Sequence, residues 1–126
     1  MPLHPDEMVD AFEASVNEHT RRALQVSAEL EAAAATVRSD GGEVTVRVDS
    51  AGGLADLRFH PEADRLSRDE LARLVLTTSR RAQARLAEQV GAIVSGVYGE
   101  GSATASFVAD AYASRYAVPD DGEEQR

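Results

Sequence analysis

The sequence predicts an α+β fold: a long helix, a three-stranded antiparallel meander and a second long helix, in the order α-β-β-β-α. Two observations support this prediction. Apolar residues recur every three or four positions over residues 6–33 and again over residues 71–97, which is the spacing of an amphipathic helix. Between these stretches, apolar and polar residues alternate in short segments separated by glycine-rich turns, which is typical of antiparallel strands. A chain of 126 residues has room for one such domain.

The composition excludes several kinds of chemistry. The chain has no cysteine, so it has no disulfide, thiolate metal site or thiol nucleophile, and its three histidines are scattered. We therefore expect no metal and no cofactor. No apolar run approaches the roughly 18 residues that span a bilayer, and the first residues lack the basic and apolar regions of a leader. These features predict a cytoplasmic protein that does not enter the membrane.

The first helix is predicted from Asp6 to about Ala33. Its apolar and small residues alternate in steps of three and four and form a heptad seam. The seam consists of Val9, Phe12, Val16, His19, Ala23, Val26, Leu30 and Ala33. Pro5 stands where a helix can begin, and Asp6 and Glu7 follow where the helix dipole favours negative charge. We interpret His19 as a polar seam residue that sets the register, not as a ligand.

Three strands are predicted between the helices, over residues 36–39, 43–49 and 54–59. The Asp40-Gly41 pair predicts a tight hairpin turn whose two central residues have positive φ. Residues 50–53 predict the second turn, because they include Gly52 and Gly53. The alternation predicts an apolar sheet face formed by Val44, Val46, Val48, Ala55, Leu57 and Phe59. The solvent face is expected to carry Thr45, Arg47, Asp56 and Arg58.

The second helix is predicted to begin after Ser67, because Ser67 and Glu70 have the spacing of a capping box. Its apolar stripe runs from Leu71 to Val97, and glycines from Gly96 onward are expected to end it. We therefore divide the chain into a domain over residues 1–98, a weakly helical extension with aromatic residues over residues 99–118, and a disordered acidic tail over residues 119–126.

Both predicted helices are longer than the sheet. A helix of about 28 residues is roughly 42 Å long, whereas a strand of about seven residues spans about 23 Å. A single copy would expose a long apolar strip to water, so we expect a homodimer with projecting helices. The residues expected at its interface are Val9, Phe12, Val16, His19, Leu86, Val90 and Ile93.

The run from Val44 to Pro61 and the helix that begins at Ser67 resemble the YbaB/EbfC family. The most specific part is the return strand Leu54-Ala55-Asp56-Leu57-Arg58-Phe59-His60-Pro61, which follows the alternating valines and a glycine turn. The resemblance covers about residues 6–97. It implies homodimers of α-β-β-β-α protomers in the bacterial nucleoid, whose projecting helices grip DNA. Actinobacterial relatives also occur beside type VII secretion genes, which implies an alternative role with a protein partner.

Arginine is concentrated in the middle of an otherwise acidic chain. Residues 44–90 carry eight arginines and seven acids, whereas residues 1–43 carry three arginines and nine acids. The arginines that we expect to contact DNA phosphates are Arg73, Arg80, Arg81 and Arg85 on the second helix and, secondarily, Arg21 and Arg22 on the first. Glu18 stands three and four residues before Arg21 and Arg22 and is expected to pair with them. Such contacts do not read the base sequence.

The sequence also bears on two other functional classes. An enzyme is not expected, because the chain has neither a Gly-x-Ser-x-Gly elbow nor a phosphate-binding loop ending in Lys-Ser/Thr, and no small-molecule substrate is implied. The alternative to DNA binding is an adaptor or chaperone-like protein, for example one associated with type VII secretion. Phe107, Tyr112 and Tyr116 favour that alternative modestly, because exposed aromatic residues are common in protein interfaces.

Overall fold

The computed structural model describes residues 4–115, which form three α-helices, one 3₁₀ helix and one sheet. The elements are α1 (Pro5–Ala32), β1 (Ala35–Arg38), β2 (Val44–Val48), β3 (Leu54–Phe59), the 3₁₀ helix (Pro61–Arg65), α2 (Arg68–Tyr98) and α3 (Ala103–Arg115). The order of the first helix, the three strands and the second helix confirms the predicted α-β-β-β-α layout. Tyr116 and the acidic segment of residues 119–126 lie outside the described residues.

The three strands form an antiparallel sheet in the order β1-β2-β3. Alternate residues of β1 and β2 are buried, because valine side chains at every second position share one face of a strand. This buried layer contains Ala35, Val37, Val44, Val46 and Val48. The predicted valine face is therefore confirmed, and it packs beneath α2.

The connection between β1 and β2 differs from the predicted turn. Only Gly42 has positive φ there, at 77°, so the expected pair of positive φ angles at Asp40 and Gly41 is wrong. The reason is that the loop is longer than two residues and is held by Ser39. The Ser39 hydroxyl accepts the backbone N–H groups of Glu43 and Val44 at 2.9 and 3.0 Å. It also donates to the Glu43 carboxylate at 2.8 Å, which lowers the pKa of Glu43.

Strand β3 is much less buried than the alternation predicts. Leu57 is half-buried and packs against the core, but Ala55 and Phe59 are exposed. The first reason is that α2 lies over β1 and β2 and leaves β3 at the open edge. The second is an irregularity between Arg47 and Val48, which places Leu54 instead of Ala55 opposite Val48.

Helix α2 begins with the predicted cap and ends at a glycine. Ser67 Oγ accepts the Glu70 backbone N–H at 3.1 Å, and the Glu70 carboxylate accepts the Ser67 backbone N–H at 3.0 Å. The helix continues through Gly96 and ends at Tyr98, after which Gly99 has φ 92°. Its buried side faces the valines of the sheet and consists of Thr78, Ala82, Leu86, Val90 and Val94.

Helices α1 and α3 both contact α2 but differ in burial. Helix α1 has no buried residue along its 28 residues, and only its last turns approach the core, where Leu30 is half-buried. Helix α3 packs closely on α2 through small residues. A β-carbon placed on Gly91 of α2 would lie 3.6 Å from the Ala109 side chain, and Ala105 is buried. The C-terminal half of α2 is thus covered by its own chain.

Truncation of Leu86 is expected to destabilise the fold strongly. Leu86→Ala removes a fully buried side chain from the layer between α2 and the sheet, and such changes cost about 3 kcal/mol of unfolding free energy. Urea unfolding followed by circular dichroism measures this change. The matched truncation Leu24→Ala, at an exposed position, is expected to cost about 0.5 kcal/mol or less. Equal losses for both variants would contradict the assigned core.

The cap of α2 is expected to make stability depend on pH. Hydrogen bonds with Ser67 lower the pKa of Glu70, and the bond from the Ser67 backbone N–H has the largest effect. A carboxyl group whose pKa is lowered by folding stabilises the protein above its unfolded pKa, and this contribution disappears as the pH falls through the lowered value. The urea midpoint of Glu70→Gln should therefore fall less than that of wild type between pH 7 and the acid range. The matched control is Glu88→Gln, which removes one carboxylate outside the cap and leaves the Ser67–Glu70 hydrogen bonds in place. A midpoint of Glu70→Gln that falls as much as that of wild type would contradict the contribution of the cap.

Candidate nucleic-acid interface

One segment of α2 combines several arginines with a complete lack of acidic residues. Residues 71–87 contain four arginines and no Asp or Glu. They are bounded by Glu70 in the cap and by Glu88. The rotation of this segment is fixed, because Thr78, Ala82 and Leu86 are buried on its sheet side. The remaining sides of the helix therefore display the arginines.

Arg73 and Arg80 project from the side of α2 that faces away from the sheet. They are seven residues apart, which places them on the same side and about 10 Å apart along the helix axis. Both are exposed. Glu70, three residues before Arg73, accepts hydrogen bonds in the cap, and Asp69 lies beside Arg73. We call the four arginines of residues 71–87 the arginine strip, and Arg73 and Arg80 form its outer part.

Arg81 and Arg85 lie on the flank of α2 that borders β1. Arg81 Nη1 donates to Asp40 Oδ1 at 3.2 Å, and Arg85 Nη1 donates to the Thr36 carbonyl at 3.2 Å. Asp40 is 92% exposed, so this ion pair is weak in water. A guanidinium group has five N–H donors, and each of these single contacts leaves further donors available.

Arg21 and Arg22 form a separate cluster on α1. Both guanidinium groups bind the Glu18 carboxylate, at 2.7 and 3.1 Å, as the spacing predicts. The hydrogen bond from Arg21 lowers the pKa of Glu18, and the same bond raises the pKa of Arg21. One carboxylate is shared by two arginines, so part of their charge is neutralised.

A further set of arginines, not proposed from the sequence, lies on the open face of the sheet. Arg38 donates to the Gly42 carbonyl at 3.0 Å and to the Glu62 carboxylate at 3.4 Å. Arg58 binds the Asp56 carboxylate at 3.0 Å. Arg47 is exposed and stands opposite Asp56 in the strand register. The sheet arginines are interleaved with acids, whereas the segment of residues 71–87 contains no acid of its own.

The residues expected at a dimer interface fall into two groups. Leu86 and Val90 are fully buried in the core of the protomer, and the half-buried Ile93 packs against that core. All three residues of this group pack within their own protomer. The others lie on α1 and are exposed: Val9, Phe12, Val16 and His19. The structure therefore separates an internal group on α2 from a solvent-facing group on α1.

Within residues 4–115, no group of three or more His, Asp or Glu side chains is arranged to hold a metal ion. None of the helices in this part of the chain is both long enough and apolar enough to cross a membrane.

Comparison with known proteins agrees with the fold. The model of the YbaB/EbfC DNA-binding family matches residues 7–101, from the first turn of α1 to the end of α2. Searches of curated proteins and of solved structures find no match to the chain. The matched region covers most of the sequence and includes all four arginines of the strip. The chain therefore belongs to the YbaB/EbfC DNA-binding family.

Proposed function

We propose that the chain is a nucleoid-associated protein that binds DNA as a homodimeric helix clamp, with little sequence preference. The observation that supports this proposal is the acid-free arginine strip on α2. From Arg73 to Arg85 the strip covers about 18 Å along the helix, a length over which duplex DNA carries about ten phosphates. The strip therefore presents several cations to a dense row of anions.

We expect the side chains of the strip to contact phosphates and not base edges. Arginine contacts with the DNA backbone orient a protein without reading the sequence. Base reading commonly adds Asn or Gln side chains to the same helix face. The one Gln or Asn within residues 71–87 is Gln83, whose Nε2 donates to the Gly52 carbonyl at 3.0 Å. This amide is engaged with the sheet, which supports sequence-tolerant binding.

A homodimer is supported by the exposed apolar residues of α1. Met8, Val9, Phe12 and Val16 are all exposed large hydrophobic residues of one helix. Exposed apolar surfaces of this extent usually mark an interface. Two-fold symmetry would present each arginine of the strip twice, which raises the number of phosphate contacts without any new residue.

The expected affinity and its salt dependence follow from the net charge of the chain and from the arginine strip. Each copy carries a net charge of −9, which repels DNA at long range when little salt is present. The strip acts at short range, within a Debye length of about 8 Å at physiological salt. The repulsion keeps the expected affinity modest. The phosphate contacts of the strip release counterions, so we expect the affinity to fall as salt is added.

Loss of the outer arginines is expected to reduce this salt dependence. Each phosphate contact adds about 0.9 to the slope of log affinity against log salt concentration. A dimer carries Arg73 and Arg80 twice, so R73A/R80A should lower the magnitude of the slope by about two to four. Fluorescence anisotropy with two 30-base-pair duplexes of unrelated sequence measures slope and sequence preference together.

The matched control is R21A/R22A, which removes the same charge from arginines that already share Glu18. It should change the slope less than R73A/R80A. Equal changes would show that net charge, and not the strip, governs binding. A monomer mass measured by light scattering at micromolar protein concentration would contradict the dimer. Binding of one duplex more than tenfold tighter than the other would contradict sequence tolerance.

Removing the partner of Arg81 is expected to strengthen DNA binding. Asp40 places a carboxylate beside the strip, and an exposed ion pair of this kind contributes up to about 1 kcal/mol. Asp40→Asn should therefore raise affinity at low salt by about two- to fivefold. Asp110→Asn makes the same charge change on α3, away from the strip, and should have a smaller effect. Equal gains for the two variants would contradict a local role for Asp40.

The adaptor alternative retains one specific observation. Phe107 on α3 is 76% exposed and lies beyond the residues that match the family. One exposed aromatic side chain provides less support than four arginines on an acid-free helix segment. Failure to bind either duplex even at low salt, with a protein partner co-purifying, would favour the adaptor over DNA binding.

A further inference from the structure

We propose that, in the dimer, the N-terminal half of α1 from one copy occupies the groove between β3 and the start of α2 of the other copy. This inference rests on the homodimer proposed above and specifies which surfaces meet. It depends on two uncovered apolar surfaces of each copy, on their opposite charges, and on the position of α3.

The first uncovered surface is half of a continuous stripe on α1. At its C-terminal end the stripe is shielded by its own chain, because Val26 and Leu30 are half-buried. Toward the N-terminus the same stripe opens to water, and Phe12 is 70% exposed and Val9 54% exposed. About 12 residues of helix, or roughly 18 Å, are left without cover. A second body is needed to shield this length.

The second uncovered surface is a groove lined by Phe59, Arg68, Leu71, Ala72, Val75 and Leu76. It exists because the apolar side of α2 continues past the strands that α2 covers, while β3 stays at the edge of the sheet. Phe59 and Leu76 are 56% and 55% exposed on its walls. The groove is therefore an open apolar trough beside a strand edge.

Charge identifies the occupant as α1 of another copy. Residues 5–17 of α1 carry four acids and no arginine. The groove contains one charged lining residue, Arg68, at the positive N-terminal end of α2. Asp69 lies instead beside Arg73, on the neighbouring side of the helix. Pairing the N-terminal halves of two α1 helices would set four acids against four, so the groove is electrostatically favoured over that contact.

Helix α3 removes the other surface that a partner helix would use. Val90 and Val94 of α2 are buried, and α3 covers this half of α2 from the same chain. Because α3 follows the family-matched residues 7–101, this covering belongs to the C-terminal extension of the chain. Within residues 4–115, the groove at the opposite end of α2 is an apolar surface that stays open. A two-fold axis then forms the α1-to-groove contact twice.

Disulfide trapping tests this arrangement cleanly, because the chain has no cysteine of its own. Phe12→Cys and Leu76→Cys are made in separate, differently tagged full-length chains, which are mixed and oxidised. A disulfide forms only when the two Cα atoms approach within about 7 Å. The mixed F12C–L76C product should exceed either same-variant product at least fivefold. Leu54→Cys is the matched control, since Leu54 is also 55% exposed on β3 but lies five residues from Phe59.

Each outcome decides the inference. F12C–F12C as the main product shows that the two α1 helices pair with each other and overturns the proposal. F12C–L54C as abundant as F12C–L76C overturns the groove but leaves the homodimer intact. A monomer mass in light scattering would contradict both the groove contact and the homodimer. As a second measurement without cysteine, L76D should raise the dimer dissociation constant at least tenfold and L54D less than threefold. Equal effects of the two aspartates would also overturn the groove.

Discussion

The packing of α2 across β1 and β2 is the contact on which the other features of this chain depend. Thr78, Ala82 and Leu86 lie against the alternating valines, and this burial sets the rotation of the helix about its own axis. With the rotation fixed, Arg73 and Arg80 must point away from the sheet and Arg81 must point toward the β1 edge. The same contact leaves β3 uncovered, because one helix is too narrow to shield three strands.

The charge distribution is organised by element and not by overall composition. The chain is acidic as a whole, yet α2 carries a continuous stretch of 17 residues with arginine and no acid. Helix α1 has the opposite character, since its first half carries acids alone. An acidic helix and a basic helix in one chain allow attraction between copies at one place and attraction to a polyanion at another. The net charge alone indicates neither the acidic half of α1 nor the acid-free segment of α2.

The sequence predicts well those features whose causes are local. The helix periodicity, the alternating valines and the Ser67–Glu70 cap each depend on residues close in the chain, and the structure confirms them. The exposure of Phe59 was not predictable, because it depends on which strands α2 crosses. The Asp40–Arg81 pair joins residues 41 positions apart, and no local pattern reveals it. Helix geometry predicts the arginine strip. Its division into an outer pair and a pair beside β1 depends on where the sheet packs against α2, which the sequence does not show.

The acid-free face of α2 has a consequence for how chains of this kind diverge. The side chains of α2 that hold the fold and the outer arginines Arg73 and Arg80 occupy opposite sides of the helix. Exchange of an outer arginine for a neutral residue therefore leaves the hydrophobic layer intact. Selection can tune or abolish attraction to nucleic acid in small steps while the architecture is inherited unchanged, so a conserved scaffold and a changeable affinity are compatible within one lineage.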